Sequence, residues 1–185
     1  MKKLIYIGLM LLVSVGCSKL DQEPKDSVGA DAVFNSESGL KLYTNSFYNV
    51  LPTTSSIIRG DNMADFAARK DVPDFFRAGA FGPRQSSGWS WSQLRNINYF
   101  LDNNTSEEVP QEVRENYEGI ARFFRAYFYF DKVKRYGDVP WYSTTLAPTD
   151  EALYKPRDSR EMVMDSVMAD LNFAVENIYE VKDNT

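Results

Sequence analysis

Cys17 is the sole cysteine of a 185-residue chain that contains no histidine, and those two facts bound most of the chemistry its side chains can do. Without histidine there is no histidine-based triad, no imidazole metal site and no imidazole general base near neutral pH. With one cysteine there is neither an internal disulfide nor a cysteine-rich metal centre. Asp and Glu are plentiful, at 26 together. A glycosidase needs two of them flanking a bond, about 5–5.5 or 6.5–9.5 Å apart, and no spacing here singles out a pair. The sequence therefore predicts a protein that is not an enzyme, with no catalytic residue, no metal and no cofactor. The net charge of −5, with no clustered basic stripe, also argues against a nucleic-acid partner.

Cys17 has a context that gives it a different chemistry. Met1-Lys2-Lys3 is a short basic start, and Leu4 to Val15 is an apolar run of roughly a dozen residues, short for a membrane-spanning helix. Ser14-Val15-Gly16 places small residues before Cys17. This is the layout of a secretory leader, residues 1–16, cut before Cys17. Acylation of Cys17 would then make a lipoprotein tethered to a membrane without spanning it. Ser14 stands where a lipobox prefers leucine, so an ordinary cleaved leader with Cys17 as a free thiol remains the alternative. Residues 17–30 carry Asp21, Glu23, Pro24, Lys25 and Asp26, and read as an acidic tether.

From residue 31 to 185 the pattern is helical, the signature of a mostly α fold with long irregular loops. A first helix is predicted from Ser36 to Leu51, capped by Asn35 or Ser36, with Leu40, Tyr43, Phe47 and Val50 on one face. Thr53 to Gly88 lacks sustained periodicity, with weak strand signals at Ser56–Arg59 and Phe75–Phe81. A second helix is predicted from Ser90 to Asp102 and a long central helix from Glu112 to Tyr136. Glu112, Glu115 and Glu118 crowd the start of the central helix, Lys132, Lys134 and Arg135 crowd its end, and Gly137 closes it. Val113, Tyr117, Ile120, Phe124 and Phe128 form one apolar stripe on it, and Phe123, Tyr127 and Phe130 form a second. Two such stripes imply burial on several faces. Tyr142 to Pro156 reads as irregular. A fourth helix from Ser159 carries Val163, Val167, Leu171, Ala174 and Ile178. Successive amphipathic helices look like helical pairs of the tetratricopeptide type, although no internal repeat is strong enough to show it.

Several segments, in order, resemble the SusD/RagB family of outer-membrane nutrient-binding lipoproteins. After the leader comes Leu20-Asp21-Gln22-Glu23-Pro24, similar to the acidic start of mature members and to surface-export signals of Bacteroidota lipoproteins. Tyr48-Asn49-Val50-Leu51, Asp61-Asn62-Met63-Ala64-Asp65 and Trp89-Ser90-Trp91-Ser92-Gln93-Leu94 with Ile97-Asn98 come next. Most specific is Ala121-Arg122-Phe123-Phe124-Arg125-Ala126-Tyr127-Phe128-Tyr129-Phe130, continued by Val133-Lys134-Arg135-Tyr136-Gly137-Asp138-Val139-Pro140. Asp170-Leu171 also fits. Members are usually several hundred residues long, so the resemblance implies an incomplete, truncated SusD-like α fold, its N-terminal portion.

The resemblance implies a cell-surface protein that captures oligosaccharide or another nutrient, works with a TonB-dependent, SusC-like outer-membrane transporter, and is lipid-anchored in the outer membrane. Sugar rings lie on aromatic faces while their hydroxyls need polar partners. Asp61, Asn62, Asp65, Arg69, Arg77 and Trp89 are the candidate glycan-binding residues on that basis, among the loop aromatics Phe75, Phe76 and Phe81 and the further cation Arg84. Trp89 at a helix start and the aspartates at a turn also suit packing and capping. A helical scaffold that binds only a protein partner is the competing reading.

Overall fold

The computed structural model describes residues 30–61, 79 and 88–180, apart from the side chains of residues 30, 31, 59 and 61. The helical core belongs to the unit of residues 31–185. Cys17, the leader and most of the acidic tether lie outside the described residues.

The described elements are α1 (Ala30–Phe34), α2 (Glu37–Asn45), α3 (Thr54–Asp61), α4 (Ser92–Asn103), α5 (Gln111–Tyr136) and α6 (Arg160–Asn177). Single 3-10 turns occupy Ser46–Val50 and Glu151–Tyr154. The fold is mostly α, as the periodicity predicted. Helix boundaries obey local chemistry. Ser36 caps α2 by accepting from the Gly39 N–H at 3.2 Å, and Ser159 caps α6 by accepting from the Met162 N–H at 3.3 Å. Gly137 ends α5 with φ of 71°, a value that favours glycine. Lys134 and Arg135 in the last turn of α5 complement the partial negative charge of its carboxyl end.

α5 is the spine, and two cores divide its length. Toward its N-terminal half, Tyr117, Ile120 and Phe124 meet Phe34, Leu40, Phe47, Ile97 and Phe100 from α1, α2, the turn after α2, and α4. Further along, Ala126, Phe128 and Tyr129 meet Leu94, Val139, Val163 and Val167. α6 runs antiparallel to α5: Gly119 lies against Ala174 and Ile178, Arg125 against Asp170, and Tyr129 shares a core with Val163. The absence of a side chain at Gly119 permits that approach, because a Cβ would sit 2.9 Å from Ile178 Cγ1. At Gly39 the constraint is harder, since a Cβ would overlap the backbone carbonyl of Val33 and come 2.8 Å from its Cα. Backbone at the end of α1 cannot swing aside as a side chain can. Gly39→Ala is therefore expected to cost about 1–3 kcal/mol, read as a lowered midpoint in thermal denaturation.

Three expectations need correction. The predicted first helix is continuous only to Asn45, after which the chain tightens into the 3-10 turn. The strand signal at Ser56–Arg59 is overridden, because Thr54–Asp61 is helical. Thr53 acts at its start: its Oγ1 accepts from the Ser56 N–H at 3.2 Å and its carbonyl from Ile57 at 3.0 Å. The second aromatic stripe of α5 is not core. Phe123, Tyr127 and Phe130 are 39%, 36% and 52% exposed, whereas Phe124 and Tyr129 are 1% and 0% exposed. The packed elements occupy the sector of α5 that carries Tyr117, Ile120, Phe124 and Phe128, and the other stripe is turned out of it. The signal at Phe75–Phe81 falls outside the described residues except at Gly79.

Candidate functional site

A cleft of about 550 Å³ opens between α4 and the chain that comes after α5. α4 and the two tryptophans before it supply Trp89, Trp91, Ser92, Leu94, Arg95 and Asn98. Trp91, Leu94, Arg95 and Asn98 are spaced at steps of three, one and three, which puts them on one side of a helix. The opposite wall comes from Pro140, Tyr142, Thr144, Leu146, Leu153, Lys155 and Arg157.

That second wall has little regular structure of its own, so side chains from the helices must satisfy its backbone. Asn98 Nδ2 donates to the carbonyls of Tyr142 and Thr144, both at 3.0 Å. Arg95 Nη1 donates to Leu146 O at 2.9 Å, and Asp102 Oδ2 accepts from the Thr145 N–H at 2.7 Å. From α5, the Tyr129 hydroxyl accepts the Tyr142 N–H at 2.6 Å and donates to Pro140 O at 3.3 Å. Burial pushes the Tyr129 phenol well above its ordinary pKa, so it stays protonated and keeps that donor. At the far end, Asp158 Oδ2 accepts from the Trp141 N–H and from Lys155 Nζ, each at 2.7 Å. Burial pulls the Asp158 carboxyl upward, but those hydrogen bonds and the Lys155 charge outweigh it and hold the group below its usual range. This clasp is therefore complete above the ordinary aspartate range and lost only as acid protonates Asp158.

Arg125 joins the helices to the wall. Its Nε and Nη2 form a two-pronged ion pair with Asp170 on α6, both at 2.7 Å. Its Nη1 donates to Ser143 O at 3.1 Å and to Asn98 Oδ1 at 3.4 Å. Arg125 and Asp170 are both buried, so this is the interior contact that ties α4, α5, α6 and the irregular wall together. Arg122 pairs with Glu118 four residues earlier at 2.6 Å, a spacing that makes the two neighbours on one helix face.

The rings in the cleft are set edge to face. Trp89 and Trp91 lie 5.1 Å apart at 82°, and Trp91 stands 5.8 Å from Tyr142 at 79°. Trp89 remains 44% exposed although Tyr136 packs on it at 4.8 Å. The Lys132 ammonium is buried and donates to Gly88 O, which fixes the backbone just before Trp89. Burial lowers the Lys132 pKa, and Arg135 lowers it further while Asp131 opposes the shift.

Of the six sequence candidates for glycan contact, Trp89 alone can be placed in this cleft. Asp61 is the last residue of α3, with its side chain undescribed. Asn62, Asp65, Arg69 and Arg77 lie outside the described residues, as do Phe75, Phe76, Phe81 and Arg84. Sequence reasoning placed the chemistry before α5, yet one whole wall of the cleft comes after it. Tyr142, Lys155 and Arg157 were missed because their segment has no periodicity; its one signal was aromatic and basic residues clustered in an irregular stretch. Trp91 and Asn98 were read as helix residues, and Asn98 is indeed structural, since all its polar atoms serve the frame.

The whole lining falls within residues 83–185, which match the profile of a SusD-like family described as starch-binding and associating with the outer membrane. The chain belongs to the SusD-like family. A SusD-like protein of Formosa agariphila is 26% identical over 198 residues, covering 98% of this chain and 39% of the relative. A second from the same organism is 25% identical, covering 94% of this chain and 37% of the relative. The crystal structure of a SusD-like protein from Bacteroides fragilis superposes with a TM-score of 0.61 over 88% of this chain and 34% of its own, at 21% identity, which shows the fold. This SusD-like chain thus spans less than two-fifths of the length of these relatives, consistent with an N-terminal portion of the family fold.

Proposed function

We propose that this SusD-like chain is the glycan-binding part of a surface lipoprotein that works with a TonB-dependent outer-membrane transporter in nutrient uptake. One observation carries the reading: Trp89, Trp91 and Tyr142 face a cleft whose remaining lining mixes hydroxyl, guanidinium and ammonium groups with a few aliphatic side chains. Rings offer flat apolar faces to the C–H faces of sugars, and the polar groups can meet their hydroxyls. Support also comes from the family description and from the leader-like pattern of residues 1–16 just before Cys17. The reading is one of binding, in which the rings and polar groups of the lining hold the sugar.

Titration calorimetry of the chain against a panel of oligosaccharides tests this reading. At least one panel member is expected to bind, and Trp89→Ala is expected to weaken it about tenfold, equivalent to about 1.4 kcal/mol. A panel silent throughout would favour the protein-only scaffold. Undiminished binding by Trp89→Ala would move the site elsewhere. The lipid anchor is tested separately, by whether Cys17→Ser releases the protein from the membrane fraction.

A further inference from the structure

The cleft carries a charge opposite to that of the chain. Acidic residues outnumber basic ones 26 to 21 overall. Yet Arg95, Lys155 and Arg157 line the cleft, and none of its described lining residues is acidic. The three cations are not equally occupied. Lys155 is matched by Asp158 at 2.7 Å, so its charge is locally answered. Arg95 spends one Nη1 hydrogen on Leu146 O, and Arg157 makes a longer 3.4 Å contact to Asp138 O. Neither guanidinium has a carboxylate partner among the described residues. Each has five N–H donors, so most of that capacity faces outward. Arg157 also lies 5.0 Å over the Trp89 ring, which pairs a planar cation with the most exposed indole of the cleft.

From this juxtaposition we infer that the ligand of the cleft is an anionic saccharide, one bearing carboxylate or sulfate groups. The inference rests on the glycan-binding proposal and adds the charge class of the sugar. A guanidinium presents parallel donors that match two oxygens of a carboxylate or sulfate, which a neutral hydroxyl cannot use as fully. The rings take the apolar face of the sugar, while Arg157 and Arg95 take its charged group at the rim. A neutral glucan offers both cations hydroxyl acceptors but no counter-charge. An acidic sugar also suits an acidic protein, because repulsion elsewhere on the surface leaves this cleft as the favourable place to settle.

The test compares three oligosaccharides of matched length on the whole chain: a neutral glucose oligomer, a galacturonate oligomer and a sulfated galactose oligomer. An acidic peptide of the same charge serves as the non-sugar control. Affinities are measured at about 20 mM and about 300 mM sodium chloride, bracketing a change in Debye length from about 20 Å to about 6 Å. At least one anionic sugar is expected to bind tenfold or more tightly than the neutral one at low salt, and to lose most of that advantage at high salt. Whether the carboxylated or the sulfated arm is the tighter identifies the group recognised. Arg157→Gln, a change at an exposed position, is expected to narrow the gap between anionic and neutral sugars, and Arg157→Lys to restore part of it. Neutral sugar binding as tightly as both anionic ones, without salt dependence, would overturn the charge inference and leave the glycan reading standing. Equal binding of the acidic peptide would overturn it too, by showing attraction without sugar recognition. No binding by any saccharide would refute both readings.

Discussion

Asp170→Ala is expected to destabilise the fold by about 3–5 kcal/mol, because it strands the buried Arg125 guanidinium without its counter-charge. Arg125 is buried, holds Ser143 O and Asn98 Oδ1 with Nη1, and lies 5.3 Å from the Trp141 ring. Arg122 cannot substitute for Asp170, being itself a cation, 3.7 Å from the same carboxylate. Urea denaturation monitored by circular dichroism measures the loss. The double change Arg125→Met with Asp170→Leu is expected to recover part of it, since a buried ion pair replaced on both sides often costs little. Recovery stays incomplete, because Ser143 O loses its Arg125 donor and the wall of the cleft loosens. The same variants should therefore weaken ligand binding more than a defect confined to the helices would. A cost below about 1 kcal/mol for Asp170→Ala, the range of exposed pairs, would mean that this pair is solvated and that the helices and cleft wall are not joined through it.

Two adjacent phenylalanines give the second large effect, by contrast with each other. Phe124→Ala is expected to cost about 3–5 kcal/mol, the range for emptying a packed aromatic site. Phe124 is 1% exposed and touches Phe47 and Tyr48, with ring centroids at 6.0 and 4.9 Å. Phe123→Ala is expected to cost under about 1 kcal/mol, since Phe123 is 39% exposed and deletion there leaves no closed cavity. Equal losses at the two positions would show that the outward stripe of α5 is covered after all.

That contrast marks where the sequence was legible. The helices that bury one stripe each were readable to within a residue or two at most ends, because period, caps and breakers agree: Ser36, Ser159 and Gly137 stand at observed boundaries. Periodicity says that a residue can face a neighbour, not that a neighbour is there, so Phe123, Tyr127 and Phe130 looked like core. The strand signal at Ser56–Arg59 came from Ile57 and Ile58, which are 58% and 61% exposed on α3, and β-branched residues alone did not decide the local structure. Half of the cleft was hidden for another reason. Its second wall is held by contacts such as Asn98 to Thr144 and Arg125 to Ser143, across 46 and 18 residues, which no local pattern can announce. The Arg125–Asp170 pair was half visible: Arg125 stands in the most specific motif and Asp170 was noted separately, but nothing local joined them across 45 residues.

The most direct test of the glycan-binding cleft is an indole-resolved NMR titration of the chain with its tightest saccharide, since the three tryptophans are distinguishable reporters. Trp89 and Trp91 line the cleft, while Trp141 packs against Tyr129 at 4.3 Å outside the lining. Saturable shifts of the Trp89 and Trp91 indole resonances are expected, with the Trp141 resonance shifting least. Saturable binding that leaves Trp89 and Trp91 unmoved would contradict a sugar site in this cleft.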